Sequence, residues 1–335
     1  MGLARQDFLQ LDDAGDAQHA FHARAAAIRD AMFGKRVFVR GVVEVSNYCR
    51  QNCRYCAMRR DNRDVLRYRL AVDELTELLI HHRPPSITDI DIQAGEDPVA
   101  IRDVVLPLVR ELRRHTDLGI TLCLGTLSPR EYDELREAGA DYYVLKIETG
   151  DANHYRQIEA PGTLAQRVDA IHYLARTGWK VSSGLIVGLP GQTQEHIQQS
   201  LRLLTELPLA GCSVSPFVAG EQTPFASAPI GSIDLTLNCV AWMRLASPHR
   251  IIPAVSAMKL VSHDGYPRAL QAGANLTTIN LTPDRVRTDY PIYRRARVIM
   301  NEERVLSAIE QAGCQPSRVS MAEHLRNGLS AEAAS

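Results

Sequence analysis

The chain reads as an α/β protein, a (β/α)8 barrel of the TIM type with a helix before it and a helical extension after it. Two observations predict this. Eight short apolar, β-rich runs alternate with helical patterns at intervals of thirty to forty residues, and no Pro-rich or low-complexity linker divides the 335 residues. An open doubly wound sheet is the alternative, but it does not normally need eight units. The expected organisation is a helical extension over 1–34, a barrel over 35–290, and a helix with a flexible tail over 291–335.

The elements follow in order. Residues 17–32 (AQHAFHARAAAIRDAM) are Ala-rich with helical spacing and stop at Gly34, a residue suited to a helix C-terminus. VFVRGVVEV (37–45) is too short and β-branched for a helix and reads as the first buried strand. Later strands are expected at 87–94, 119–125, 141–148, 180–188, 211–217, 250–255 and 275–280. Helical patterns lie between them, among them 71–82, 128–139 and 163–178. One more helix is expected at 301–313, and the polar, Ala-rich end is expected to be disordered. In such a barrel, chemistry gathers at the C-terminal ends of the strands.

Composition narrows the function. With 38 Lys+Arg against 39 Asp+Glu the net charge is −1, which argues against a nucleic-acid or membrane-surface binder, since both need a basic excess. No apolar run approaches the roughly eighteen residues of a membrane span, and the acidic start does not suit a secretory signal. Seven cysteines, an odd and modest number, fit a reducing cytoplasm better than a disulfide scaffold.

Three of the seven stand together. Directly after the first strand, Cys49, Cys53 and Cys56 are spaced Cys-x3-Cys-x2-Cys, so one loop can point three sulfurs inward. Three thiolates on a four-iron cluster leave one iron open to a small molecule, whereas electron-transfer clusters normally close with four. A structural zinc site would want a fourth Cys or His, and neither His22 nor the His81–His82 pair lies at ligand spacing.

This triad, with the aromatic Tyr55 just before its third cysteine, resembles the signature of the radical S-adenosylmethionine superfamily. The stretches EVSNYCRQNCRYCAMRRDN, RYRL (67–70), QAGEDP (93–98), VGLPGQT (187–193) and IPAVSAM (252–258) are similar to the group of FeFe-hydrogenase maturase HydE, 3-methylornithine synthase and biotin synthase. The resemblance spans about residues 33–283. It implies a 4Fe–4S cluster on the three cysteines, with S-adenosylmethionine chelating the open iron. One-electron cleavage then gives a 5′-deoxyadenosyl radical that acts on a small-molecule substrate. It also implies a reducing partner such as flavodoxin or ferredoxin.

The resemblance extends to further residues. Gly95, Glu96 and Asp97 match a segment that contacts the methionyl amine, although Gly-Glu-Asp-Pro also suits an ordinary turn. Glu148 matches the acid that holds the ribose hydroxyls, and Arg167 the arginine that pairs with the methionyl carboxylate; a solvated helix arginine is the plainer alternative. Gly184 and Gly188 suit close backbone approach to adenine, or simple packing. Tyr55 either covers the adenine or shields the cluster.

The substrate is less legible. A second, sulfur-donating cluster would need further lumen cysteines. Only Cys123 points inward by parity, and the segment matching such a cysteine reads Val181-Ser182-Ser183, which disfavours biotin-type sulfur insertion. Ser213, Ser215, Ser256, Thr277 and Asn280 are expected to line the lumen, while Cys212, Cys239 and Cys314 are assigned to ordinary burial. A non-catalytic iron–sulfur carrier is the competing class.

Overall fold

The computed structural model describes residues 11–293 and 298–327; the expected disordered end lies outside the described residues. Seven parallel strands form the sheet: β1 (Arg36–Ser46), β2 (Asp89–Ala94), β3 (Gly119–Cys123), β4 (Tyr142–Val144), β5 (Lys180–Val187), β6 (Gly211–Pro216) and β7 (Leu276–Asn280). Their order, β6-β5-β4-β3-β2-β1-β7, keeps sequential strands adjacent and brings the first beside the seventh. The gap between β6 and β7 is spanned by the segment expected as a full strand at 250–255. There Ile251 bridges Gly211 and Pro253 bridges Leu276, both in parallel, so the ring closes through single bridges rather than a ladder. Pro253 has no N–H to give, which limits pairing at this seam.

Alternation within strands sorts the two sides of the wall. In β2, Ile90 and Ile92 join the large hydrophobic core under the helices, while Asp91 and Gln93 face the lumen. In β1, Val37, Val39, Val43 and Val45 pack outward into the same core, while Arg40 faces in. The outer helices run where expected, for instance Val72–His81, Pro129–Glu137, Leu164–Arg176 and Glu302–Gln311. The last three begin with side-chain caps from Ser128, Thr163 and Asn301. The leading helix, Gly15–Phe33, ends at Gly34 in the left-handed region, its N–H bonded back to Asp30.

Two departures bear on the site. The fourth strand is shorter than 141–148: its ladder ends at Val144, although the Leu145 N–H still donates to the Ser182 carbonyl, and a parallel bridge to β5 forms again where Glu148 meets Leu185. A helix absent from the sequence reading, Met321–Asn327, closes the lower end of the barrel. Its N-terminal amides, from Met321 and Ala322, donate to the buried Asp89 carboxylate at 2.8 and 3.1 Å. Above this plug, Phe38, Tyr142, Ile251 and Leu276 pack with Met321 in a small apolar cluster. Among the described residues, this cluster fills the lumen at the end away from the strand C-termini.

Candidate active site

The cysteine loop leaves β1 at Ser46 and is fastened mainly through its backbone. Arg67 donates to four main-chain carbonyls, those of Asn47, Met58, Arg59 and Asn62, at 2.5–3.0 Å. The buried Asn47 side chain donates to the carbonyls of Leu66 and Asp289 and accepts from the Tyr68 N–H. Neither anchor emerged from the sequence. Arg67 lies in the RYRL segment, but no spacing rule shows that a guanidinium there collects carbonyls.

At the end of β2, Gly95 lets the strand meet this loop. A Cβ on Gly95 would stand 2.2 Å from the Tyr48 carbonyl oxygen and 2.8 Å from Cys49 Cβ. The next residue ties two loops together. Glu96 Oε2 accepts from Gln51 Nε2 at 2.5 Å and Arg50 Nε at 3.2 Å, while Oε1 accepts from the Thr126 amide at 3.1 Å. Glu96 is buried, and its stem occupies the space that a Cβ on Gly125 would need.

Asp97 departs from the expectation of a cofactor contact. It is buried outside the cavity that Gly95 and Glu96 line. There it binds Arg69 through both oxygens at 2.6 and 3.0 Å, accepts from Ser46 Oγ at 2.7 Å, and caps the Val99 amide. Burial works to raise its pKa, but the hydrogen bonds from Arg69 and Ser46 outweigh it and leave the carboxyl below its usual range. A depressed folded-state pKa stabilises the fold above the unfolded value of about 3.9 and loses that contribution as pH falls through the folded value. Asp97→Asn should therefore cost about 2 kcal/mol at neutral pH. The difference from wild type should shrink below about pH 4, as urea titrations at several pH values would read out.

Cys49, Cys53 and Cys56 all border one large cavity at the barrel mouth, with Tyr55, Glu148 and Arg167. Its empty space, the open mouth included, is about 1480 Å³, enough for a nucleoside-sized cofactor with a second small molecule. Burial raises all three thiols, that of Cys56 to about 12, so as free groups they are protonated. Among the described residues, no three His, Cys, Asp or Glu side chains are grouped for a single metal ion.

Arg167 sits in the first turn of helix Leu164–Arg176, buried, and is not a solvated surface residue. Its one hydrogen bond among the described residues is from Nε to the Tyr155 hydroxyl, at 3.3 Å. Burial opposes its charge, but Tyr155 and Glu96 outweigh it and raise its pKa. A buried guanidinium that makes no ion pair or hydrogen bond to a carboxylate among the described residues is costly unless a ligand supplies one. Glu148 shows the complementary signature. Its backbone is held at φ 61°, and its buried Oε2 has no hydrogen-bond partner. Burial pushes its carboxyl up, with Lys146 and Arg167 opposing. A non-glycine residue in the left-handed region with an orphaned oxygen beside a cavity is a place where strain is kept for a ligand. These residues fit a cofactor that carries a carboxylate at one end and hydroxyl donors at the other.

The two glycines take the packing alternative in their contacts, and neither lines the cavity. A Cβ on Gly184 would fall 2.1 Å from Ser213 Oγ, so this glycine makes room for a neighbouring strand's side chain. Gly188, at φ 91°, turns the chain against Gly231 and donates its N–H to Gln192 at 2.6 Å. On the same strand it is Ile186 that faces the cavity. Tyr55 packs beside Phe217, Tyr155 and Leu189 while lining the cavity.

Of the hydroxyls expected in the lumen, Ser213 and Ser215 line the cavity; Ser256, Thr277 and Asn280 do not. Cys123 does, as parity indicates, and burial raises its thiol to about 12. Cys212, Cys239 and Cys314 stay outside it. The sequence reading missed Arg40, Asp91, Lys146, Tyr290 and Tyr293, all cavity-lining.

The fold and this site define a radical S-adenosylmethionine enzyme, and the chain belongs to the radical SAM superfamily. The radical SAM superfamily family model matches residues 43–204. Within it, the chain is 32% identical over 318 residues to the [FeFe] hydrogenase maturase subunit HydE of Thermotoga maritima, covering 93% of this chain and 91% of that protein. It is 29% identical over 304 residues to the 3-methylornithine synthase of Methanosarcina barkeri, covering 89% and 85%. The crystal structure of methylornithine synthase (PylB) superposes with a TM-score of 0.85 at 26% identity, covering 95% of each chain. Among the described residues, no helix is long and apolar enough to cross a membrane.

Proposed function

We propose that Cys49, Cys53 and Cys56 hold a 4Fe–4S cluster and that the upper cavity binds S-adenosylmethionine, for chemistry on a small molecule in cofactor or metallocentre assembly. When bound, the reduced cluster supplies the electron that splits the sulfonium and generates a 5′-deoxyadenosyl radical. The observation that carries this reading is the pairing of Arg167, a buried cation with no ion pair among the described residues, with Glu148, whose buried Oε2 lacks a donor, on a cavity edged by three sulfurs. Arg167 would hold the methionyl carboxylate bidentately and Glu148 the ribose hydroxyls. Tyr55 and Ile186 would cover apolar surface and exclude water.

In this reading the barrel over 35–290 carries the chemistry, between the helical extensions, in a reducing cytoplasm with flavodoxin or ferredoxin as electron donor. The likeness to HydE, a hydrogenase maturase subunit, favours metallocentre assembly. Sulfur insertion is less favoured, because Cys123 is the one lumen cysteine beyond the triad.

The test is anaerobic. Protein reconstituted with iron and sulfide and reduced with dithionite should convert S-adenosylmethionine to methionine and 5′-deoxyadenosine. A full cluster without cleavage would favour the carrier reading. Arg167→Ala and Glu148→Ala should each weaken S-adenosylmethionine binding roughly tenfold or more while leaving iron content unchanged. Unchanged affinity, measured by equilibrium dialysis, would refute the assignment.

A further inference from the structure

Fastening the cysteine loop needs hydrogen-bond donors, not charge, and Arg67 brings both. Between residues 50 and 69 the chain places seven arginines against two aspartates, in a protein whose net charge is −1. Most of these cations are answered. Arg50 pairs with Glu96 at 3.2 Å, Arg60 with Asp61 at 3.0 Å and Arg69 with Asp97 at 2.6 Å, and Arg59 lies 4.0 Å from Glu159. Arg54 reaches the Gln157 carbonyl at the surface, and Arg63 is exposed, so solvent screens both.

Arg67 is the exception. It is half-buried, and among the described residues no carboxylate pairs with it; its partners are the four main-chain carbonyls. Carbonyl dipoles solvate a guanidinium without cancelling its net charge. The position of that charge is fixed from both sides of the triad. Nη1 donates to the carbonyls of Asn47 and Met58 at 2.5 and 2.9 Å, two residues before Cys49 and two after Cys56. The cation therefore closes the loop across its base, outside the cavity that the sulfurs border. The Met58 amide donates in turn to the Cys56 sulfur. Burial lowers the Arg67 pKa while negative charge on Cys49 and Cys56 raises it, so guanidinium and thiolates interact through a half-dry medium.

We propose that Arg67 sets the reduction potential of the cluster as well as its seat, raising it through a positive charge held against Cys49 and Cys56. This rests on the three cysteines holding the 4Fe–4S cluster. On reduction one electron enters the core from the reducing partner and no bond forms or breaks. The net charge of core and three thiolates then goes from one negative to two. A fixed cation favours the more negative state and so eases the transfer.

Redox titration of the reconstituted protein without S-adenosylmethionine, followed by the EPR signal of the reduced cluster, tests this. Arg67→Gln keeps donors but loses the charge, Arg67→Met loses both, and Arg67→Lys keeps the charge with fewer donors. At the poise that half-reduces wild type, the reduced-to-oxidised ratio should fall tenfold or more in the Gln and Met variants, a midpoint lower by about 59 mV or more. In Arg67→Lys it should fall less than threefold. Arg63→Gln, which removes an exposed cation from the same loop, should change the ratio less than twofold. A wild-type midpoint in the neutral variants, a Lys variant as low as the Met variant, or an equal drop in Arg63→Gln would overturn the assignment. If the neutral variants take up no iron, loading of the Lys variant alone supports the need for charge, whereas failure of all three makes Arg67 a fastener only and overturns it. Wild-type protein that takes up no iron would sink the cluster reading instead.

Discussion

Cys53→Ala should lose the cluster altogether. Reconstituted wild type is expected to carry about four irons per chain, and the variant close to none, with S-adenosylmethionine cleavage falling below detection. Cys53 is a buried residue where Cys49 and Cys56 are partly exposed, and it is packed at the turn between them, close enough to both for their charges to oppose its own. Two remaining sulfurs on a loop cannot enclose a cluster that already leaves one iron without a protein ligand. The barrel should persist, because its core is built from strands and helices elsewhere, so the melting curve of the metal-free protein should hardly move. Cys239→Ala is the control. That cysteine is buried in helix Ile233–Ala246, outside the cavity, and its loss should leave iron content intact. Four irons in the Cys53 variant would overturn the ligand assignment.

Gly95→Val should be nearly as damaging without touching a sulfur. The added Cβ meets a backbone oxygen at 2.2 Å, and backbone cannot rotate out of the way as a side-chain tip can. Either β2, which is paired on both edges, or the cysteine loop must shift. Overpacking of this kind costs about 1–3 kcal/mol. The strain should fall on Cys49, whose Cβ is the second atom in the way, and iron incorporation should drop at least several-fold. Iron content and S-adenosylmethionine affinity equal to wild type would mean that this contact does not hold the loop.

How much of this was legible depends on what each residue type can encode. Eight short β-rich apolar runs alternating with helical patterns carried the barrel, because each such unit adds one strand and one covering helix to a parallel wall. The three cysteines announced the metal loop by spacing, and Glu148 and Arg167 could be placed at the cavity through the resemblance. Gly184 and Gly188 left two readings open for a physical reason: a glycine says only that a Cβ does not fit, and here Ser213 and Gly231 stand where that Cβ would be. Asp97 was ambiguous in a similar way, since sequence gives the carboxylate but not the direction it faces. Arg67 was illegible because its four acceptors are main-chain carbonyls, which every residue possesses. The seam at Ile251–Pro253 looked like a strand because its apolar run is genuine, while the pairing it makes depends on the proline's missing donor.

The two-sided grip of Glu96 has a consequence for how this metal site could be moved or imitated. One carboxylate joins the loop after β1 to the loop after β3, residues separated by some seventy positions in the chain. A synthetic peptide of residues 46–60 would carry every sulfur but neither Glu96 nor Arg67, and so nothing to set the sulfurs apart at the right distance. The cysteine motif is therefore not a portable cassette: its geometry belongs to the assembled rim of the barrel, and transplanting it would require transplanting the neighbours that hold it open.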